Sequence, residues 1–141
     1  MGIFVSKSAG QTKKIAGDLA KRLFKSKFKK KALVIGLIGE LGSGKTVFIQ
    51  GFVRALNLKQ RVVSPTFVII RRYKNVFHVD AYRIKSPKEI VDLGWKKIIN
   101  NPENIILVEW AEKIKKILPK KYIKINFEHV DRNKRKISII G

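Results

Sequence analysis

Residues 32–46 read ALVIGLIGELGSGKT, and this stretch decides the fold. Its first part, Ala32–Ile38, is continuously apolar and too short for a helix that ends in glycine, so it predicts a buried strand. Residues 39–46 then read GELGSGKT, with the spacing of glycine, four residues, glycine, lysine and threonine. Apolar side chains recur on one face of Lys45–Leu56 and predict a helix. A strand, a glycine-rich turn and a helix in this order are typical of α/β proteins that hold a phosphate group at the turn.

The glycine-rich turn has the composition that a phosphate site needs. Gly39, Gly42 and Gly44 allow the backbone to approach phosphate oxygens, so that successive N–H groups can point at one anion. Lys45 can reach the β- and γ-phosphates, and the Thr46 hydroxyl can bind Mg²⁺. The other residues expected to line the site are Leu41, Ser43, Val47 and Glu40, whose carboxylate should face solvent because it would repel phosphate. The alternative is a turn that binds nothing.

Two acidic residues follow predicted strands, where open α/β sheets bind their ligands. Asp80 ends one such strand and Glu109 ends the other, after the apolar run IILV. Either carboxylate could hold Mg²⁺ or position an attacking water, and the alternative for each is a surface ion pair with a lysine. His78 lies two residues before Asp80, on the same face of that strand. A hydrogen-bonded structural histidine is the simpler interpretation, and proton transfer or phosphate contact is the alternative.

The remaining sequence alternates helix and strand signals. Ser8 has capping-box spacing to Gln11 and predicts the start of a helix. Further along the chain we predict strands over Phe67–Tyr73, Asn75–Asp80 and Ile105–Glu109, a helix from Ser86 to Gly94, a helix over Ala111–Leu118, and a closing hairpin of Tyr122–Phe127 and Lys136–Ile140. This pattern predicts a single domain over residues 1–141, of the P-loop NTPase type. Its sheet should be mixed and partly parallel, flanked by helices, with antiparallel edge strands.

Composition limits the classes of partner. The 141 residues include 32 Lys and Arg against 10 Asp and Glu, a formal net charge of +22. A field of that sign attracts nucleic acids or acidic proteins, although a lysine-rich source proteome would give the same excess. The chain has no cysteine, no secretory signal pattern and no apolar run long enough for a bilayer. We therefore expect a cytoplasmic protein without a membrane partner.

Several segments together resemble one family. They are GELGSGKT at 39–46, VSPTF at 63–67, HVDAYR at 78–83, DLGW at 92–95 and VEWAEK at 108–113. In this order they are similar to the TsaE family, bacterial ATPases that serve tRNA threonylcarbamoyladenosine synthesis. The matches extend from about Ser8 to Lys113. Glycine-rich loops of this kind are common, but the five segments together are specific.

The resemblance implies ATP hydrolysis with Mg²⁺ as the metal. It implies that Thr46 and Glu109 hold the metal, and that Asp80 and Lys45 belong to the catalytic neighbourhood. It also implies a switch-like loop at residues 64–66 and a second one at residues 109–110. Further nucleotide contacts are implied for Thr12 in the segment Ser8–Thr12, for Thr66, for Trp110, and for Arg132 or Arg135, between which the sequence does not decide.

The family's partners are the TsaB–TsaD proteins, of which TsaD transfers the threonylcarbamoyl group to adenosine 37 of tRNA. The resemblance implies that this chain supports the cycling of such a complex, with tRNA bound indirectly or weakly, and no DNA partner is expected. One alternative is a small kinase, for which the sequence offers no lid insertion. Another is a basic RNA-binding module, which would need aromatic stacking platforms that the sequence does not arrange. Product analysis and a Lys45→Ala variant distinguish the three.

Overall fold

Seven strands form one sheet in the computed structural model, which describes residues 2–25, 30–56 and 69–141. The strands are β1 (Gly2–Ser6), β2 (Leu33–Ile38), β3 (Ile70–Tyr73), β4 (Val76–Asp80), β5 (Ile105–Glu109), β6 (Ile123–His129) and β7 (Arg135–Ile140). The helices are α1 (Ala9–Phe24), α2 (Lys45–Ala55), α3 (Lys88–Val91) and α4 (Trp95–Ile99), and a 3₁₀ helix spans Ala111–Ile117. No helix in the described ranges combines the length and apolar character needed to cross a bilayer.

The strands are arranged in the order β1-β7-β6-β2-β5-β4-β3. The four central strands, β6, β2, β5 and β4, run parallel to one another. At the edges, β7 pairs antiparallel with β6, β1 with β7, and β3 with β4. This arrangement confirms the predicted mixed α/β sheet with a parallel centre and antiparallel edges. The carboxyl ends of β2, β4 and β5 meet at one edge of the sheet, and the glycine-rich loop begins there.

Alternate residues of the central strands supply two separate cores. In β2, Ile35 and Leu37 pack with α1 and α2, while Val34 packs with α3, α4 and the 3₁₀ helix on the other face. In β5, Leu107 and Val108 divide in the same way. Both faces of these strands are therefore buried, which explains why their sequences are continuous apolar runs instead of alternating ones.

Helices α1 and α2 pack closely because glycine stands at their contact. A Cβ atom built at Gly51 would lie 2.5 Å from Lys13 Cα and 2.7 Å from Lys13 O. Both of these atoms belong to the backbone of α1, so no side-chain rotation could relieve the overlap. Gly51 therefore sets the distance between the helix that follows the glycine-rich loop and its neighbour.

We expect Gly51→Ala to lower the free energy of unfolding by at least about 2 kcal/mol, because the overlap outweighs alanine's better helix propensity. Denaturant titration would measure the change. Gly10→Ala is the matched control, since its Cβ would meet only Ser8 Oγ, at 3.8 Å. That control should be neutral or slightly stabilising. Equal stability of both variants and the parent chain would contradict the close contact.

Several predicted elements differ from the observed ones. Strand β1 was not predicted at all, and Gly94, taken as the end of a helix, lies between α3 and α4 with φ +96°. The segment predicted as a helix over Ala111–Leu118 is a 3₁₀ helix over Ala111–Ile117, with a kink at Ile114, whose φ and ψ angles are not helical. Residues 67 and 68 of the predicted strand Phe67–Tyr73 lie outside the described residues.

The predicted cap at Ser8 is confirmed, and a capping box is only half formed at Ser86, where the next helix was predicted to begin. Ser8 Oγ accepts a hydrogen bond from Gln11 N at 3.1 Å. At the second position the Glu89 carboxylate accepts from Ser86 N at 3.1 Å, but the Ser86 side chain makes no capping bond. The predicted helix is also shorter than expected, because α3 begins only at Lys88.

Candidate functional site

The loop between β2 and α2 has a backbone that favours glycine. Gly42 and Gly44 have φ angles of +75° and +105°, in the region that other L-residues rarely adopt. Gly44 stands at the N-terminus of α2 without a side-chain cap. Within the described residues, the amides of Lys45 and Thr46 have no backbone acceptor. These unpaired donors and the positive end of the helix dipole can together hold an anion.

Lys45 is folded back into this loop. Its side chain is buried, its Nζ donates a hydrogen bond to Gly39 O, and Nζ lies 3.7 Å from the ring centroid of Trp110. Burial lowers the pKa of Lys45 below its ordinary value, while the nearby Glu109 carboxylate acts in the opposite direction. The ammonium group therefore has few water contacts, and a phosphate group at the loop would give it a direct anionic hydrogen-bond partner.

Trp110 reaches Lys45 because its backbone turns sharply after β5. Its φ angle is +59°, which is uncommon for a residue other than glycine. Trp110 N donates to Leu37 O at 3.2 Å, and its ring packs on that of Tyr82 with centroids 5.0 Å apart. The indole ring is thereby fixed against both β2 and the segment after β4. Strain of this kind is commonly found at functional sites.

Glu109 is held from two sides at the end of β5. Its Oε1 accepts from Thr46 Oγ1 at 3.4 Å, a long hydrogen bond. Its Oε2 lies 2.7 Å from His78 Nε2, and His78 is fully buried. Because a carboxylate only accepts hydrogen bonds, His78 Nε2 carries the proton in this pair. Within the described part of the chain, His78 Nδ1 has no partner. His78 thus fixes the orientation of the Glu109 side chain towards Thr46.

Asp80 lies beside Glu109, since the two residues are directly paired across β4 and β5. Asp80 Oδ1 accepts from Tyr82 N at 3.0 Å, and burial raises the pKa of the Asp80 carboxyl above its ordinary value. Among the described residues, no group of three or more His, Asp or Glu side chains is arranged to enclose a metal ion. A cation here would therefore need additional oxygens, such as those of phosphate or water.

The hairpin of β6 and β7 brings one of the two candidate arginines to the loop. Arg135 Nη2 lies 3.5 Å from Gly42 O, and its Nη1 donates to three carbonyl oxygens of the hairpin turn, those of Asp131, Arg132 and Lys134. Arg132 is exposed. The cationic group placed next to the glycine-rich loop is therefore that of Arg135.

The N-terminal segment reaches the same edge through β1. Ser6 is paired with Arg135 across β1 and β7, so it lies at the same edge of the sheet as the loop. Thr12 is buried, and its Oγ1 lies 2.7 Å from Ser6 Oγ. The Thr12 hydroxyl is thus engaged with Ser6. Sequence reasoning did not identify Ser6, because the strand that carries it was not predicted.

The other residues predicted to line the site differ in how deeply they are buried. Glu40 and Leu41 are exposed, and Val47 is half-buried. Ser43 is buried, and its Oγ finds no hydrogen-bond partner within the described ranges. An orphaned hydroxyl inside the loop is consistent with a ligand that would complete its hydrogen bonding. Thr66, and the whole predicted switch-like loop at residues 64–66, lie outside the described residues.

Fold and site together define a class of mixed α/β proteins in which a glycine-rich loop joins a central parallel strand to a helix. Residues 6–137 match the family model described as threonylcarbamoyl adenosine biosynthesis protein TsaE. The chain therefore belongs to the TsaE family, which confirms the resemblance noted in the sequence.

Relatives and a solved structure support this assignment. The chain is 41% identical over 133 residues to the tRNA threonylcarbamoyladenosine biosynthesis protein TsaE of Rickettsia prowazekii, covering 91% of this chain and 90% of that protein. It is 36% identical over 115 residues to the TsaE protein of Bacillus subtilis, covering 79% and 71%. The crystal structure of Bacillus subtilis YdiB superposes with a TM-score of 0.78 at 28% identity, covering 98% of this chain and 83% of that one.

Proposed function

We propose that this TsaE-family protein binds Mg²⁺ and ATP at the loop between β2 and α2 and hydrolyses ATP in support of tRNA threonylcarbamoyladenosine biosynthesis. One observation carries the proposal. The unpaired amides at the start of α2, the Lys45 ammonium group and the Thr46–Glu109 pair all converge on the same loop. A polyphosphate bound there would meet donors, a positive charge and metal ligands at once.

The residues present fit a magnesium ion. Thr46 Oγ1 and Glu109 Oε1 are 3.4 Å apart. Neighbouring ligand oxygens of one octahedral Mg²⁺ are about 2.9 Å apart, so only a small adjustment would let both bind the ion. Mg²⁺ takes few protein ligands when phosphate oxygens and water complete its shell, which agrees with the small number of acidic groups at the site. When bound, the ion would neutralise charge on the phosphate oxygens.

The other side chains of the site would stabilise charge, orient the attacking water and hold one another in position. Lys45 would stabilise charge that develops on the transferred phosphoryl group, and Glu109 or Asp80 would orient the attacking water. His78 would keep Glu109 in position. Arg135 would contact the phosphates from the side of Gly42, where its guanidinium group lies. Among the described residues, Arg135 is the one arginine with a hydrogen bond to the glycine-rich loop, so turnover by the isolated protein should be slow.

We propose a TsaB–TsaD-type protein complex in the cytoplasm as the partner. The relatives are named as biosynthesis proteins of one tRNA modification, and an ATPase of this size would act on that reaction by controlling an assembly. Binding to the complex should depend on ATP if hydrolysis drives the cycle. A small kinase remains the other enzyme type that such a loop permits, and no observation in the structure favours it.

The test is co-purification of this protein with a TsaB–TsaD-type complex, with and without ATP, together with measurement of phosphate release. We expect ATP-dependent association and faster release of free phosphate in the complex. Lys45→Ala is the control, because it should associate in neither condition. Absence of ATP binding would overturn the proposed ATPase activity. A phosphorylated nucleoside as product would favour kinase activity instead.

A direct but weak contact with tRNA is a further part of the proposal, based on the net charge of +22. Lysine contacts to phosphate release counterions, so tRNA affinity should fall at least about a hundredfold between roughly 50 and 200 mM salt. Fluorescence anisotropy with labelled tRNA would measure the slope. A shallow dependence on salt would mean that the excess of lysine reflects composition only.

A further inference from the structure

Strand β1 leaves one side of the sheet open. It pairs with β7 on one side, and no strand among the described residues pairs with its other side. Ile3 is 68% exposed, Val5 is 55% exposed and Phe4 is 39% exposed. Edge strands are usually protected by charged residues or proline, but Gly2–Ser6 contains neither. In the part of the chain that the structure describes, the outer backbone edge of the strand is therefore unpaired, and it lies beside exposed apolar side chains.

A groove of about 450 Å³ runs alongside this strand, between β1 and α1. We call it the β1 groove, and it is formed by apolar residues and by polar residues of α1. The apolar residues include Phe4, Ile15, Leu19 and Ile139, and the charged ones are Lys14, Asp18 and Arg22. A strand added to the edge of β1 would lie directly beside this groove. Its side chains on that face could then occupy it.

The charges around the β1 groove favour an acidic occupant. Lys14 and Arg22 are exposed at the groove and Lys7 is exposed at the end of β1, whereas Asp18 is the single acid that lines it. A second copy of the chain would carry the same net charge of +22 and be repelled. Nucleic acid would suit the lysines but would leave the apolar floor uncovered. An acidic protein segment with apolar side chains matches both features.

We propose that an extended acidic segment of the protein partner adds to the open edge of β1 as a further strand and inserts apolar side chains into the β1 groove. Backbone hydrogen bonds to β1 would provide affinity, and the groove and its basic residues would provide specificity. The inference deepens the proposed function and rests on it for the identity of the partner. Ile3 and Val5, the residues changed below, are not among the residues of the candidate nucleotide site, so their variants should not change nucleotide binding.

The experiment measures the affinity of a purified TsaB–TsaD-type complex for this protein in the presence of ATP. Ile3→Glu and Val5→Glu change exposed side chains, so the fold should tolerate them. We expect each to weaken binding roughly tenfold or more, because the new charge opposes an acidic strand. Val91→Glu is the matched control, since Val91 is 42% exposed on α3, and it should bind like the parent chain. ATP affinity should be equal in all four proteins.

Hydrogen exchange of the backbone amides gives a second measurement. A general effect of surface charge on binding would not change it. On formation of the complex, those amides of Gly2–Ser6 that point away from β7 should exchange more slowly, because a new strand would protect them. Unchanged exchange, with full affinity of Ile3→Glu and Val5→Glu, would overturn the inference and leave the proposed function standing. Failure of the parent chain to bind the complex would overturn the partnership and the inference together. Protection of β1 by self-association or by tRNA alone would also overturn the inference.

Discussion

Replacing Lys45 by alanine is expected to abolish ATP binding, with affinity falling by at least about a hundredfold. The Lys45 ammonium group is buried at the loop and lies next to the first amides of α2, which have no backbone acceptor among the described residues. A phosphate bound at the loop would therefore contact this positive charge directly. Without it the loop would keep its amides but lose a charged donor. Isothermal titration with ATP and Mg²⁺ measures the loss.

The folded state should survive this change. Burial lowers the pKa of Lys45 because the charged form loses water contacts in the fold, and alanine would remove that cost together with the contacts to Gly39 O and the Trp110 ring. These effects oppose each other, so we expect only a small change in stability. Thermal unfolding of the variant would establish this. Lys96→Ala, at an exposed position on α4, is the matched control and should keep its ATP affinity. Unchanged ATP affinity in Lys45→Ala would refute the assignment of the loop.

Replacing Glu109 by glutamine is expected to lower the rate of ATP hydrolysis by roughly a hundredfold or more while ATP affinity changes only a few-fold. Glutamine keeps the size of the side chain and an oxygen that can accept from His78 Nε2, and it loses the negative charge. Glu109→Ala should show the same division, with hydrolysis affected more than binding. It should also be less stable, because His78 would be left buried without a partner.

Single-turnover hydrolysis and equilibrium titration separate the two effects. Glu112→Gln is the matched control, because Glu112 is exposed in the 3₁₀ helix, and its turnover should equal that of the parent chain. Asp80→Asn tests the neighbouring carboxylate. Normal turnover in Glu109→Gln together with a large loss in Asp80→Asn would transfer the catalytic role from Glu109 to Asp80.

The centre of the fold was predictable because its signals are local. Strands β2 and β5 are buried on both faces, so they appear as uninterrupted apolar runs, and the glycine-rich turn fixes where α2 begins. Strand β1 gives no such signal. It has five residues and is exposed along one edge, and its pairing with β7 depends on residues at the other end of the sequence. Local pattern carries no information about such a distant partner.

The helices predicted over residues 86–118 differ from the observed ones for two reasons, which are the backbone conformation of Gly94 and the packing of Ile114. Gly94 fits the end of a helix by composition, yet its positive φ angle turns the chain into a second helix in which Trp95 is buried. The backbone at Ile114 departs from the helical region, although its side chain is fully buried in the second core. The backbone conformation of this segment depends on the packing of its side chains in the second core. Helical propensity alone does not predict that packing.

The site was predictable where a motif fixes the spacing. Lys45 and Thr46 follow from the loop, and Glu109 follows from its place after an apolar strand. The position of the Arg135 guanidinium group beside Gly42 depends on the hairpin turn, whose carbonyl groups accept its hydrogen bonds. The contact between His78 and Glu109 depended on the pairing of β4 with β5. Neither feature has a counterpart in the local sequence.

The pairing of Gly2 with Ile139 has a consequence for biosynthesis. During translation, β1 is made before the other strands of this sheet, and its neighbour β7 is made after them. Contacts so far apart in sequence close late, because the intervening chain must first lose its conformational entropy. The backbone edge of β1 that pairs with β7 therefore stays unpaired until β7 is made, beside exposed apolar side chains, and a nascent chain stalled before β7 is the form most exposed to chaperones and to aggregation.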